Sequence, residues 1–420
     1  MDAMVIVGAA LSGGNAAVAL RGEGYKGRVI LLGDEPTIPF GRPPLSKGYL
    51  MGKEDLGGWY VKPREWYEAN DIELMRGVRV EVVDVPQREV RVAGHGTFRY
   101  DRLLLATGGR NRRLPLPGID LGGVYQLRTL AECDAIKAAA KPGRRAVVVG
   151  LGFIGSEVTA SLTTLGVKVT AVGSGVGPLA AVLGDDVARV MAGIHTEKGV
   201  ELILGDQVTA FTGDERVEAV ITKSGRRVPC DMVVVGAGIA PNVELAAASG
   251  VEVDNGILVD EYGRTNADSI YAAGDVANHL HPLFGRIRVE HYNNAEKMGR
   301  AVARTMLGRL EPYDYIHSFW SDQYEDKIEY VGYGRRWDRF VVRGSLEERR
   351  FLGFYLVENR LMAAMGLNRG GDPELDPGDE MAACDRLIAA GGHVDPAVLA
   401  DERVDIRSLA ADKLTRTPNT

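Results

Sequence analysis

Cysteine is nearly missing from this chain. Among 420 residues only Cys133, Cys230 and Cys384 occur, and they stand far apart. Without a C-x-x-C or C-x4-C spacing the sequence offers no redox dithiol and no zinc or iron–sulfur ligand set, so small buried or incidental thiols are expected. Long apolar runs are missing too: none reaches the ~18 uninterrupted residues that a membrane span needs. The apolar start carries Asp2 and no basic n-region, which reads as a strand rather than a signal peptide, and a cytoplasmic protein is expected. Nor is there an excess of basic charge. A formal charge of −7 argues against nucleic acid as a partner. His279 and His281 flank a single residue and His291 follows, but no other ligand sits at useful spacing, so no metal is expected.

Glycine, by contrast, is abundant: 53 residues of 420, nearly twice the usual ~7%, as many tight turns and close backbone approaches require. The most informative glycines follow the apolar run Ala146-Val147-Val148-Val149. There Gly150-Leu151-Gly152-Phe153-Ile154-Gly155 makes a G-x-G-x-x-G that opens into a helix-like run, Ser156–Leu165. One glycine allows the tight turn, one lets backbone approach a pyrophosphate, and one lets helix pack on strand. The helix start adds unpaired N–H groups and a positive dipole end. Nearly the same text occurs earlier, at Met4-Val5-Ile6-Val7-Gly8-Ala9-Ala10-Leu11-Ser12-Gly13, with Ala10 in the middle glycine's place. Two openings of this kind imply two dinucleotides.

The rest of the chain repeats the comparison. Arg28–Leu32 reads as a second strand ending at Gly33-Asp34-Glu35, where an acid meets an adenosine ribose; Glu35 is the first choice and Asp34 the second. In Pro39–Lys47 the prolines Pro43 and Pro44 stiffen a segment carrying Arg42 and Lys47, as positioned cations over a phosphate would need. Val78–Val92 alternates like a hairpin, and Arg102–Leu105 is an apolar strand breaking at Ala106-Thr107-Gly108-Gly109. The second half runs likewise: a strand at Val167–Val172, then Met232–Val235 ending in Gly236-Ala237-Gly238. Later, Ser269–Val276 is a short strand ending in Gly274-Asp275, and Val289–Arg304 is helical in its second half. After Tyr315 come strand-like stretches at Ile328–Tyr333, Arg339–Arg343, Phe351–Val357 and Leu361–Leu367, with a helix near Glu380–Ala390. Leu409–Thr420 is expected to be disordered. The expected class is α/β: two Rossmann-like dinucleotide-binding domains plus a C-terminal α+β domain, since single cores stop growing at ~250–300 residues.

On Arg42-Pro43-Pro44-Leu45-Ser46-Lys47, Ala106-Thr107-Gly108, Gly150–Glu157, Ala273-Gly274-Asp275-Val276 and Phe319-Trp320-Ser321-Asp322-Gln323, the chain resembles the flavin-dependent ferredoxin reductases of bacterial cytochrome P450 and ring-hydroxylating dioxygenase systems. The likeness covers about residues 4–405 and implies the glutathione-reductase-like fold. It implies an FAD-binding domain at 1–112 and 240–316, an NAD(H)-binding domain at 113–239 and a C-terminal domain at 317–420. FAD would meet Gly8, Gly13, Glu35, Thr107, Gly108 and Asp275. Arg42, Lys47 and Arg128 would lie along it, and Trp320 against its ring. NADH would meet Gly150, Gly152, Ile154, Gly155 and Gly238. Glu157 is similar to the family acid that meets the flavin lysine, so Lys47, Glu157 and Trp320 are the catalytic candidates.

One departure concerns the coenzyme. Where family members using NADH carry a ribose-binding acid, this chain has Gly173 within Val172–Pro178, with neither carboxylate nor arginine nearby. The resemblance favours NADH all the same. Lacking a cysteine pair, and with no cysteine in Pro39–Lys47, the chain is expected to pass electrons singly to a [2Fe–2S] ferredoxin. A rubredoxin or monodehydroascorbate reductase would use the same site, and a redox-signalling flavoprotein like apoptosis-inducing factor is the alternative from another class. Arg309, Arg335 and Arg336, in a locally basic C-terminal region, are candidates for docking an acidic ferredoxin.

Overall fold

A computed structural model describes the backbone of residues 3–414 and the side chains of residues 3–410. By contact density the chain divides into two units, each gathered from separate segments. Unit 1 takes the chain up to Arg42, then Leu56–Arg110 and Ile239–His317; unit 2 takes Pro43–Asp55, Asn111–Gly238 and everything from Ser318 on. The expected FAD-binding segments and unit 1 thus overlap except at Pro43–Asp55 and within two residues of the other boundaries. The expected NAD(H)-binding and C-terminal segments fall together in unit 2.

The centre of unit 1 is the fully buried strand Ala3–Val7. On one side it pairs in parallel with Arg28–Gly33, which pairs with Ile72–Arg76; on the other it pairs with Arg102–Leu105, which pairs with Ile270–Ala272. Runs such as Val29–Leu32 and Leu103–Leu105 are apolar without alternation because a parallel sheet is covered on both faces. Two helices supply part of that cover, Leu11–Gly22 and Tyr292–Met306, and they touch closely. A Cβ on Gly299 would stand 2.3 Å from the Ser12 carbonyl oxygen, and Arg300 Nε donates to Asn15 Oδ1 at 3.0 Å. The second of these helices starts at Tyr292, several residues earlier than the sequence pattern indicates.

Unit 2 contains the same layout again. Arg145–Val149 is central, flanked in parallel by Lys168–Gly173 and Glu201–Leu204 on one side, and by Met232–Val235 and Val124–Gln126 on the other. Each unit also carries a three-stranded antiparallel sheet at the corresponding point of the chain: Val80–Asp84, Glu89–Val92 and Gly96–Arg99 in unit 1, and Val208–Gly213, Val217–Thr222 and Arg227–Pro229 in unit 2. The duplication legible in the sequence is therefore a repeat of four strands in the same chain order, whereas the fifth comes last in unit 1 and first in unit 2.

The C-terminal part of unit 2 is a five-stranded antiparallel sheet in the order Ser318–Gln323, Asp326–Gly332, Arg360–Leu367, Arg350–Val357, Arg339–Ser345. The helix Glu380–Ala389 packs on it. The expectation of a disordered tail is corrected in part. Residues up to Leu414 form the helix Ile406–Leu414, because Ile406 and Ala410, four apart, are buried on one face. The remaining residues of that expectation lie outside the described ones. Among the described residues no helix is long and apolar enough to cross a membrane.

Candidate functional site

In unit 1 the turn after Ala3–Val7 depends on glycine. Gly8 has φ +114°, and a Cβ there would stand 2.0 Å from the Ala106 carbonyl oxygen. A Cβ on Gly13 would stand 1.9 Å from the Gly8 carbonyl oxygen, so strand, turn and helix meet backbone to backbone. Ala10 is the N-cap of Leu11–Gly22 and gives no side-chain cap, which leaves the first N–H groups of the helix for an outside acceptor. Gly108, at φ +61°, lies three residues beyond the end of the neighbouring strand Arg102–Leu105. Asp275 follows Gly274, at φ +79°, in a short 3-10 turn after Ile270–Ala272. These residues converge on the carboxyl ends of the strands, where the chain switches direction about the central strand.

Glu35, Arg42 and Thr107 in unit 1 have protein partners. Glu35 forms an ion pair with Arg42, both side chains being about three-quarters buried. Thr107 Oγ1 donates to the Asn242 carbonyl at 2.7 Å, and Asn242 Nδ2 returns a bond to the Thr107 carbonyl at 2.8 Å.

Unit 2 builds an equivalent cradle. Gly150 has φ +90°, and a Cβ on Gly155 would stand 1.9 Å from its carbonyl oxygen. Gly152 caps Phe153–Thr164 without any side-chain bond and has open space where a Cβ would be. Ile154, in the first turn, is one of the few exposed large apolar side chains. Gly238, at φ +82°, also faces open space. Both cradles fit dinucleotides: bare N–H groups at a helix start, and backbone that any side chain would obstruct. Arg128 is held through its backbone, since Glu132 Oε2 accepts from the N–H groups of both Arg128 and Thr129 at 2.8 Å within a capping box.

Lys47 and Glu157, 110 positions apart in the sequence, are brought together in unit 2. Lys47 Nζ lies 2.8 Å from Glu157 Oε1, and the carboxylate is buried within the Phe153–Thr164 helix. Glu157 Oε1 also accepts from Ser321 Oγ at 2.7 Å, and Oε2 accepts from Ser46 Oγ. Ser161 Oγ donates to the Ser46 carbonyl at 2.6 Å and fixes the Pro43–Ser46 turn against the helix. A buried carboxylate needs such company. Ser46 and Ser321 stand inside two of the motifs that carry the resemblance, yet no sequence pattern marks them as site residues; their positions next to Lys47 and Trp320 are the one available signal.

Alternation along Ser318–Gln323 sends Ser321 and Phe319 to one face and Trp320 to the other. Phe319 stacks on Tyr330 and meets Phe153 edge-on, both with centroids 4.7 Å apart. Trp320 is half-buried and paired across the ladder with Glu329, whose carboxyl burial pushes up to about 7 despite Lys327 beside it. All three cysteines are free and buried. Burial pushes the Cys133 and Cys230 thiols up to about 12 and Cys384 higher still, so none supplies a thiolate. Among the described residues no group of three or more His, Cys, Asp or Glu is arranged to hold a metal ion. Of the docking candidates, Arg309 belongs to unit 1 and is paired with Glu23, whereas Arg335 and Arg336 belong to unit 2 and are exposed.

The family pattern described as "Pyridine nucleotide-disulphide oxidoreductase" matches residues 2–299, and that described as "Reductase C-terminal" matches residues 318–410. The chain is 38% identical to rhodocoxin reductase of Rhodococcus erythropolis, over 96% of its own length and 93% of the relative's. It is 36% identical to putidaredoxin reductase of Pseudomonas putida, over 98% and 97%. A crystal structure of the covalent putidaredoxin reductase–putidaredoxin complex superposes with a TM-score of 0.93 at 35% identity, covering 99% of each chain.

Proposed function

The chain belongs to the pyridine nucleotide-disulphide oxidoreductase family, and from that premise we propose that it is a cytoplasmic NADH:ferredoxin oxidoreductase. It takes electrons from NADH on FAD and delivers them to a [2Fe–2S] ferredoxin that feeds a cytochrome P450 or ring-hydroxylating dioxygenase. The observation that carries this reading is the pairing of two dinucleotide cradles with three buried, protonated thiols. A family member built to reduce a disulfide needs a cysteine pair; this one has two nucleotide sites and no thiol route onward.

FAD, when bound, accepts two electrons together as a hydride and gives them up one at a time. The protein's part is binding, alignment and charge. The Gly8–Gly13 turn would hold the FAD pyrophosphate, Glu35 with Arg42 the adenosine end, Thr107 and Gly108 the backbone side of the cofactor, and Asp275 the ribityl chain. The Gly150–Gly155 turn, with Ile154 and Gly238, would hold NADH. Lys47 is a fixed ammonium whose charge Glu157 and its serines orient, and it would favour an anionic reduced ring by Coulomb attraction in a partly desolvated site. Trp320 would shield the ring. The segments 1–112 with 240–316, 113–239 and 317–420 would then be the FAD-binding, NAD(H)-binding and C-terminal domains.

The test is direct. The purified protein should be yellow, contain one FAD per chain, and transfer electrons from NADH to a purified [2Fe–2S] ferredoxin in steady state. A colourless chain that stays inactive when FAD is added would sink the reading, and turnover with rubredoxin or monodehydroascorbate but no ferredoxin would move it to a neighbouring activity.

A further inference from the structure

The Lys47–Glu157 pair is the end of a longer chain of buried side chains, all within unit 2. Ser321 Oγ bonds Glu157 Oε1 at 2.7 Å, and Gln323 Nε2 bonds Ser321 Oγ at 3.2 Å. Gln323 Oε1 lies 3.1 Å from His195 Nε2, and His195 Nδ1 lies 3.0 Å from the Tyr324 hydroxyl. Glu157, Ser321, Gln323 and His195 are each no more than 4% exposed, so bulk water cannot substitute for a lost partner.

The chemistry of the donors sets the direction of every link. A carboxylate only accepts, so Ser321 spends its single hydrogen on Glu157. Ser321 must then accept from Gln323, which turns the amide nitrogen inward and the amide oxygen toward His195. An amide oxygen only accepts, so His195 carries its hydrogen on Nε2. The lone pair left on Nδ1 takes the hydrogen of Tyr324. One anion thus determines a serine rotor, an amide orientation and a histidine tautomer in sequence. All four donors point toward Glu157, an alignment in which each bond polarises the next.

Two further observations fit a relay that is held in place. Tyr324 has φ +60°, which bulky residues rarely adopt, and this turn delivers its hydroxyl to the imidazole. Burial of His195 depresses its pKa to about 4, keeping the ring neutral at physiological pH. The Lys198 ammonium, 5.4 Å from the Tyr324 ring centroid, stands on the outer side.

We propose that His195 is a positioning residue for the Lys47–Glu157 pair: through its Nε2–H tautomer it pins the Gln323 amide, which aims the Ser321 hydroxyl at Glu157. Without that pin the Ser321 hydrogen is free to leave Glu157 Oε1, and the carboxylate draws on Lys47 alone for that oxygen. The consequence for the flavin rests on the placement of Lys47 given above; the tautomer does not.

The test uses the holoenzyme labelled with 15N-histidine, with the His195 signals identified by their loss in His195→Leu. The expected result is a neutral Nε2–H imidazole from pH 8 to pH 5.5; an Nδ1–H or protonated ring at pH 7 overturns the proposal. In single-turnover mixing with NADH, His195→Leu should lower the limiting rate of flavin reduction about tenfold while leaving the half-saturating NADH concentration within about twofold. His195→Gln, whose amide can still donate to Gln323, should restore most of that rate. A wild-type rate in His195→Leu overturns the proposal. If that variant does not fold, Gln323→Glu decides: it replaces the inward donor with an acceptor, so His195 should become protonated near neutral pH and flavin reduction should slow. A neutral His195 with normal reduction in Gln323→Glu refutes the relay. If Lys47→Gln reduces as fast as wild type, the placement of Lys47 at the flavin has failed, and with it the effect on rate, while the tautomer result stands on its own.

Discussion

Glu329 shows what one buried side chain can report. Its carboxyl is pushed up to about 7 by burial, against an unfolded value near 4.5. Between those values the folded state holds a proton that the unfolded state has released, so folding loses stability as pH rises through this window. Glu329→Gln removes the ionisation, and the exposed side of Lys327 lets its ammonium stay solvated. The variant should therefore melt higher than wild type at pH 8 and about equally at pH 5; equal melting at both pH values would show that Lys327 already compensates the charge. Asp275 is the second residue whose effect can be read directly. Removing a hydrogen-bonding carboxylate from a partly buried contact costs about 1–3 kcal/mol. Asp275→Ala should thus weaken FAD retention about ten- to a hundredfold in a fluorescence titration, with the fold retained by circular dichroism.

At the scale of elements, the proposed function makes the strand Lys168–Gly173 the place where coenzyme choice would be set. Its ladder register places Gly173 where Gly33 stands in unit 1, just ahead of Asp34 and Glu35, whereas Ser174 and Gly175 follow here. Gly173 is absent from the positive-φ residues, so a side chain is compatible with its backbone. A Cβ would come to 3.0 Å from Leu151 Cδ1, the end of a flexible side chain. Gly173→Glu should lower the KM for NADH and worsen NADPH use, by about 1–2 kcal/mol in the ratio of kcat/KM values, as for a charge-assisted bond to ribose hydroxyls and repulsion of a 2′-phosphate. A wild type that strongly prefers NADPH would refute this reading of the strand. Such elements were legible because apolar runs ending in glycine leave few alternatives: Ala3–Val7, Arg28–Gly33 and Arg145–Val149 fall within a residue or two of the sequence reading. Less legible was Ser318–Gln323, where Ser318, Ser321 and Gln323 are polar and buried, so hydrophobic alternation never appears. The serines around Glu157 were hidden for the same reason. Their role depends on a partner over a hundred residues away, and no local pattern encodes that.

For the whole molecule, the buried histidines set the acid limit. Burial lowers His195 and His291 to about 4 and His279 to about 3, and depresses His281 and His317 too. Three of them, His279, His281 and His317, lie with ring centroids 5.6–5.9 Å apart. Their folded values lie below the unfolded value of 6.5, so the stability they contribute is complete above pH 6.5 and is lost as pH falls toward 4. Glu329 and Asp385, raised to about 7 and about 6, act in the opposite sense, but five imidazoles outweigh two carboxyls. Urea midpoints should fall steadily from pH 7 to pH 5, and His279→Phe should flatten that slope; a flat wild-type profile would count against it. Charge at the surface gives another global readout. With Arg309 already paired to Glu23, the exposed Arg335 and Arg336 carry the docking hypothesis. Arg335→Glu with Arg336→Glu should raise the ferredoxin KM several-fold, most at low salt, and leave NADH reduction of the flavin unchanged. Equal slowing of both half-reactions would indicate damage to the fold instead.

The interlock of Leu11–Gly22 with Tyr292–Met306 carries a consequence for biosynthesis. The first helix of the chain rests on one made almost three hundred residues later, Gly299 against Ser12 and Arg300 on Asn15. At about 5–20 residues per second, a ribosome needs roughly 15–60 seconds to bridge that interval. Throughout it, the nascent amino-terminal strands are without their outermost neighbour Ile270–Ala272 and without the second helix. The opening nucleotide fold is thus a late-maturing part of the polypeptide although it is the first to emerge, and arrested chains ending before residue 300 should leave the ribosome unable to retain flavin.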